Sequence, residues 1–270
     1  MPSDSILRAA VPKGSPASRY DETRDAAGTV RPHYRALTAA LSGLGAVERE
    51  ERFRAARQYL SEAGVFYRSG AEAGERLWPI AFPPLLIDSG EWKSLEAGLR
   101  QRALYLERLL TDLYGERRMV REGHLPGVLL GANPEFLRPL ADQGLAGRPL
   151  LRFVAIDLGR GPDGQWRVIG DRTQAPSGAG FALENRVATS RAFPDLVRSL
   201  HIQRLAGFFG RFRETLNHLN GQDGTRVGLL TPGPLNETYF EHSYLARYLG
   251  FQLLEGGDLV MRGDEAKVRT

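Results

Sequence analysis

Within the 29 residues from Asp157 to Asn185 the sequence concentrates oxygen ligands around a fixed positive charge. Asp157, Asp163, Asp171, Glu184 and Asn185 are hard oxygen donors, the type Mg2+ takes when it bridges substrate phosphates, since it needs only one or two carboxylates and keeps water and phosphate for the rest. Arg172, Gln174 and Ser177 lie among them, and the run APSGAG could turn backbone N–H groups toward an anion. Asp163 sits in GRGPDG and reads as a turn residue. Asp157 closes the apolar run RFVAID, where a carboxylate is costly unless it lies at an edge or binds something.

A second segment, Leu229 to His242 (LLTPGPLNETYFEH), runs from an apolar strand through a Gly/Pro turn into a helix start, the place where open α/β sheets receive ligands. Asn236 is a candidate N-cap and Glu237 would fall in the first helical turn, with Tyr239, Phe240 and Tyr244 partly in the core. No GxGxxG or GxxxxGK[ST] occurs, so neither dinucleotide fingerprint nor P-loop is available. His33, His124, His201, His218 and His242 show no HExxH or paired spacing, which excludes a zinc-protease motif.

The chain of 270 residues has room for one large domain or two small ones. It contains no cysteine, so disulfide scaffolds, thiolate zinc sites and Cys nucleophiles are excluded. Of its 36 basic residues only Lys13, Lys93 and Lys267 are lysines; the arginines alternate with acids instead of forming the clustered stripe of a nucleic-acid binder. No nucleic acid is therefore expected as a partner. No run approaches the ~20 apolar residues of a membrane span, and a cytosolic protein without membrane contact is the expectation.

The elements that must position these groups are of mixed type. Residues 1–19 read as a flexible tail. Residues 20–149 read as mainly helical: Tyr34, Leu37, Leu41 and Leu44 recur at helical spacing, Phe53, Ala56, Tyr59 and Leu60 form a second stripe, and Asp88 or Ser89 can cap a long helix that Gly115 ends. The proline-bearing run 77–87 must be extended and packed on the body. Residues 150–222 open with a hairpin, turning at Pro162-Asp163, followed by a glycine-bearing loop and one or two helices up to Leu219, after which the linker NGQDGT begins. Residues 223–270 read strand, loop, helix, strand, a βαβ unit, followed by a hairpin start. The fold class is α+β / α/β.

Five runs in order, YDETRDAAGTVRPHYRAL, LYGERRMV, NPEFLRPL, GDRTQAPSGAGFALENR and LLTPGPLNETYFEHSYLARYLGF, resemble the signature blocks of the circularly permuted ATP-grasp type 2 family, from about Tyr20 to the end of the chain. The resemblance implies part of an ATP-grasp core, the hairpin plus helices, joined to the start of a substrate-side βαβ sheet, with ATP and Mg2+ as cosubstrate and cofactor. It also implies carboxylate–amine ligation: ATP phosphorylates a small carboxylate, and an amine or peptide attacks the acylphosphate.

Carried over to this sequence, the resemblance makes Asp157 a metal ligand that ends one strand. The Glu and Asn that end the next strand in glutathionylspermidine synthase-like enzymes are absent, because Gly170-Asp171-Arg172 stands there. With the turn at Pro162-Asp163, Asp171 falls on the opposite face from Asp157. Either a bulge or the start of the loop re-aims Asp171, or Glu184 and Asn185 supply the missing ligands. The favoured set is Asp171 with Glu184 and Asn185, Arg172 countering phosphoryl or substrate charge beside Asp171, and Gln174, Ser177 and Gly178 toward substrate or phosphate. Asn236, Glu237 and His242 belong to the substrate-side lobe. The lysines that grip nucleotide phosphates have no counterpart after a suitable strand, and one βαβ unit is a small part of a sheet, so the front part of a longer ligase is expected. The alternative is a non-catalytic module that keeps the fold and binds a peptide or a protein.

Overall fold

In a computed structural model the described residues are 20–68, 74–144, 149–218 and 226–269. The tail expected over 1–19 and the linker NGQDGT lie outside them. The chain divides into two compact units, one holding Asp21–Leu86 with Ser177–Thr270, the other holding Ile87–Pro176 together with Tyr20.

The first unit starts with a 3-10 turn, Pro32–Tyr34, that runs into α1 (Arg35–Gly43), then α2 (Ala46–Glu62) and a short antiparallel pair, β1 (Phe66–Arg68) and β2 (Glu75–Leu77). This pair was not expected from sequence; three residues a side carry too little pattern to read. The proline-bearing run that follows is extended, as its composition requires, and its Trp78, Ile80 and Phe82 pack against the core. Leu86 at its end donates its N–H to the buried Tyr34 hydroxyl at 2.8 Å.

The second unit is built on α3 (Ser89–Tyr114). Asp88 is its N-cap, accepting the N–H groups of Gly90 and Glu91 at 2.8 and 3.0 Å, and Gly115 ends it. Two short helices follow, α4 (Arg118–Arg121) and α5 (Gly127–Gly131), and the Asp112 carboxylate accepts the N–H groups of Arg118 and Met119 at the start of α4. The hairpin of β3 (Ala155–Arg160) and β4 (Trp166–Arg172) completes the unit. Its connection is the five residues between them, closed by Gly161 and Gln165, a wider turn than a two-residue Pro162-Asp163 loop. Asp163 is the turn residue its context predicts, accepting the Gln165 N–H and pairing with Arg167, which together hold its carboxyl down at about 2.

The chain then re-enters the first unit. Three helices follow instead of one or two: α6 (Ala179–Ala192), α7 (Pro194–Ser199) and α8 (Ala206–His218). Pro194 restarts the helix at α7, and His201, at φ 49°, breaks it before α8. Strand β5 (Gly228–Thr231), α9 (Tyr239–Leu249) and β6 (Gln252–Glu255) form the expected βαβ unit with β5 and β6 parallel, and β7 (Leu259–Arg262) with β8 (Glu265–Val268) makes the terminal hairpin. The core joins Ala56 and Leu60 of α2, Val65, and Phe181, Ala188 and Ala192 of α6 with Phe193; Trp78 stacks on Phe181 at 4.0 Å. Of the described residues, no helix is long and apolar enough to cross a membrane.

Candidate functional site

The β3–β4 hairpin carries the first group of chemistry-bearing residues. Near its turn Leu158 pairs with Val168, but Asp157 pairs with Gly170, so Ile169 is an extra residue in β4. That single insertion decides where Asp171 points. In the register of the turn end, Asp171 would lie across from Ala155 and share a face with Asp157; past the bulge it lies across from Ile156, on the other face. Asp171 and Asp157 thus lie on opposite faces, as alternation predicts from sequence, and the bulge does not bring them together.

Each carboxylate meets an arginine on its own face. On the side toward α3, Arg102 forks onto Asp171 with Nε to Oδ1 at 2.7 Å and Nη2 to Oδ2 at 2.6 Å, and this pairing holds the Asp171 carboxyl below its ordinary value. Arg160 and the Trp166 indole N–H converge on Glu91 of α3, and the Arg160 hydrogen bond is the main reason that the Glu91 carboxyl is also held low. Between α3 and this face of the hairpin lies an open groove of about 910 Å3, lined by Leu95, Leu99, Tyr105, Leu158, Trp166 and Val168 among others. On the opposite, solvent-facing side Arg172 reaches Asp157 Oδ2 at 3.1 Å through both Nε and Nη2.

The first unit holds three further hydrogen-bonded groups, with most of the remaining predicted residues in or beside them. Glu241 of α9, 1% exposed, accepts the Gly178 N–H on both oxygens, at 2.8 and 2.7 Å, and the Gly180 N–H on Oε1 at 2.7 Å. The N–H groups expected from APSGAG therefore do face an anion, and that anion is an internal carboxylate. Burial pushes the Glu241 carboxyl up, against the lowering effect of those two donors. Ser177 is half-buried at the same turn, and Gln174, in the second unit, is exposed.

Glu184, buried in α6, accepts the Tyr59 hydroxyl at 2.7 Å and is also hydrogen-bonded to the Tyr244 hydroxyl. Burial and then this bond push the Tyr59 hydroxyl up to about 12 and move Tyr244 in the same direction. The next residue, Asn185, buries its side-chain Oδ1 without a hydrogen-bond partner among the described residues.

The third group surrounds His242. Thr231 Oγ1 accepts the Gly233 N–H at 3.2 Å and contacts His242 Nδ1 at 2.9 Å; His242 Nε2 contacts Thr238 Oγ1 at 3.2 Å, and Thr238 donates to Asn236 Oδ1 at 3.0 Å. Asn236 Oδ1 can only accept, so the Thr238 proton is used there and the hydroxyl accepts from Nε2–H, leaving Nδ1 to accept from Thr231. The histidine is thereby neutral with its proton on Nε2, and burial lowers its pKa. Asn236 is not the helix cap expected from sequence: its side chain closes a turn onto the Thr238 N–H, Thr238 is the N-cap, and the exposed Glu237 precedes the helix.

Asp157, Asp171, Arg172 and Gln174 thus belong to one unit, and Ser177, Gly178, Glu184, Asn185, Asn236, Glu237 and His242 to the other. Among the described residues no three His, Asp or Glu side chains stand where they could share a metal ion. The carboxylates do not fit Mg2+ as they stand: Asp157 and Asp171 lie on opposite hairpin faces, each on an arginine, and Glu184 is occupied by tyrosine hydroxyls. Sequence reasoning missed Glu241, Tyr59 and Arg102, whose partners lie 63, 125 and 69 residues away. The only signal for Glu241 was its place within a signature run.

The model of the family described as circularly permuted ATP-grasp type 2 matches residues 84–270. An uncharacterized protein of Mycobacterium bovis is 35% identical over 271 residues, covering 96% of this chain and 30% of its own length. An uncharacterized Synechocystis protein is 33% identical, covering 94% of this chain and 54% of its own length, and one from Mycobacterium tuberculosis is 34% identical, at 94% and 46%. The chain therefore spans between about a third and a half of the length of these relatives. With the family match extending over more than half of its residues, the chain belongs to the circularly permuted ATP-grasp type 2 family.

Proposed function

We propose that this chain contributes the hairpin-and-loop part of an ATP-dependent carboxylate–amine ligase. In that reaction ATP phosphorylates a small carboxylate, and an amine or peptide displaces phosphate from the acylphosphate to give an amide, ADP and phosphate. The observation supporting this reading is family membership, by a match over residues 84–270 that takes in the Gly170–Arg186 block, folded as strand, loop and helix start. ATP-grasp proteins generally use ATP and Mg2+. Arg172, exposed and held by one oxygen of Asp157, is the group suited to counter charge on the transferred phosphoryl. Gln174 and Ser177 lie toward substrate, and the Asn236–His242 relay shapes the substrate-side loop. With ATP as cosubstrate, the cytosol is the expected compartment.

The test is ADP release by the protein on addition of carboxylate and amine mixtures, such as amino acids and short peptides. Amine-dependent release, reduced at least about tenfold by Arg172→Gln, supports the assignment, since one charge-stabilising donor is commonly worth that much or more. A second reading, a binding module on the same fold, is favoured by the arginine pairing of both hairpin carboxylates. Peptide binding with no ADP release under any amine would select it.

A further inference from the structure

We propose that the β3–β4 hairpin binds no divalent cation, and that Arg102 and Arg172 supply the positive charge on Asp171 and Asp157. Two independent features carry this. The first is the Ile169 bulge, which leaves Asp157 across from Gly170 and Asp171 across from Ile156. Neighbouring positions past the bulge project from opposite faces of the sheet, so one ion cannot take both carboxylates without a change of register.

The second is the occupancy of each carboxylate. Both Asp171 oxygens are taken by the Arg102 fork, and the Asp171 side chain is 17% exposed, whereas a hydrated Mg2+ needs a free carboxylate edge. Asp157 is engaged through Oδ2 alone, shared by two nitrogens of Arg172, and is 46% exposed; what it lacks is a second ligand, since its nearest cross-strand neighbour is Gly170, which offers no side chain. The extra residue, Ile169, is 74% exposed and lies over Gly159, where an added Cβ would stand 2.7 Å from Ile169 Cδ1. A guanidinium differs from a metal in consequence, because it neutralises the carboxylate but leaves no open coordination position for a phosphate oxygen.

The inference is independent of the ligase reading, and its test does not use turnover. Mn2+ is titrated into the isotope-labelled chain, alone and with ATP, and paramagnetic broadening of amide resonances is followed by NMR. The expected result is no selective broadening at Asp157, Gly170 or Asp171 in either titration, while any ATP-bound Mn2+ broadens signals elsewhere. Selective, saturable broadening at these three amides overturns the proposal, including when it occurs only with ATP. Asp157→Asn, on an exposed side chain, provides the second measurement: unchanged Mn2+ affinity agrees with the proposal, and a lowered affinity overturns it.

Discussion

The Glu241 carboxylate accepts the Gly178 N–H on both of its oxygens, at 2.8 and 2.7 Å, and so fixes the backbone where β4's exit loop turns into α6. A second donor, the Gly180 N–H, completes the clamp at 2.7 Å. The two glycine-bearing signature runs thus meet through one carboxylate. The geometry explains both glycines: Gly178 has φ 126°, which L side chains rarely adopt, and a Cβ on Gly180 would stand 3.0 Å from Glu241 Cγ.

Removal of the carboxylate should therefore be costly. Glu241→Ala strands two donors and leaves a void, and an unfolding free energy lower by about 2–4 kcal/mol is expected from urea melts. Glu241→Gln keeps an acceptor oxygen and should lose less. The pH dependence has a definite sign. The native pKa of Glu241 is raised, so the native state holds the extra proton between the ordinary glutamate value and the native one. Its contribution is fully present below the ordinary value and lost as pH rises through the native pKa. Glu241→Gln should remove that slope from a plot of stability against pH.

Gly180→Ala tests the same clamp from the other side. The new methyl meets Glu241 Cγ at 3.0 Å and Tyr244 Cδ1 at 3.3 Å, both on α9. Destabilisation of about 1–3 kcal/mol is expected, as for overpacking of a filled core. Thermal melts of Gly180→Ala and Gly43→Ala, the latter with open space at its Cβ, provide the comparison.

These particulars show what could be read in advance. The Asp88 cap, the helical stripes of α1 and α2 and the βαβ order are local signals, and each was legible from spacing and end residues. That Asp171 and Asp157 face opposite ways was legible from alternation as well, but the route to it was not: the connection is wider than a Pro162-Asp163 turn and Ile169 is an extra residue, two shifts that cancel, and alternation alone cannot locate a bulge. The Asn236 cap misled because Asn and Thr are both good cap residues two positions apart; the Asn turn moved the start of α9 to Tyr239. Glu241 was one letter within a signature run, and only tertiary pairing reveals its donors.

Arg102→Gln tests the hairpin pairing through acid stability. The Asp171 carboxyl is depressed chiefly by Arg102, so its contribution is present above the ordinary aspartate value and lost as pH falls through the native pKa. Removing the guanidinium should bring the Asp171 pKa up toward ordinary and flatten this part of the acid limb. Side-chain carboxyl NMR of Asp171 across the acid range reads the shift directly.

Tyr59→Phe probes the buried carboxylate of α6. Glu184 loses the donor at 2.7 Å and keeps the Tyr244 hydroxyl, so destabilisation of about 1 kcal/mol is expected, the range for one hydrogen bond lost from a buried group that keeps another. Ultraviolet titration adds a second readout: the Tyr59 hydroxyl, pushed up to about 12, should ionise only in the strongly alkaline range, and its contribution should vanish in the variant.

The His242 relay makes the β5–α9 loop sensitive to acid in the opposite sense to Glu241. Burial lowers the histidine pKa, so the unfolded chain binds the extra proton between the native value and the ordinary histidine value. Stability therefore falls as pH drops through the ordinary value and levels off below the lowered native pKa. The charged histidine would also turn Nδ1 into a donor against Thr231, whose hydroxyl oxygen already accepts the Gly233 N–H. Thr231→Val removes that hydroxyl from a site 2% exposed, strands the Gly233 N–H and deprives Nδ1 of its donor, and a loss of about 1–3 kcal/mol near neutral pH is expected from urea melts. His242→Gln should lose the slope around the ordinary histidine value while Thr231→Val retains a histidine to titrate. If the slope survives in His242→Gln, the acid sensitivity belongs to another group and the neutral-relay assignment fails.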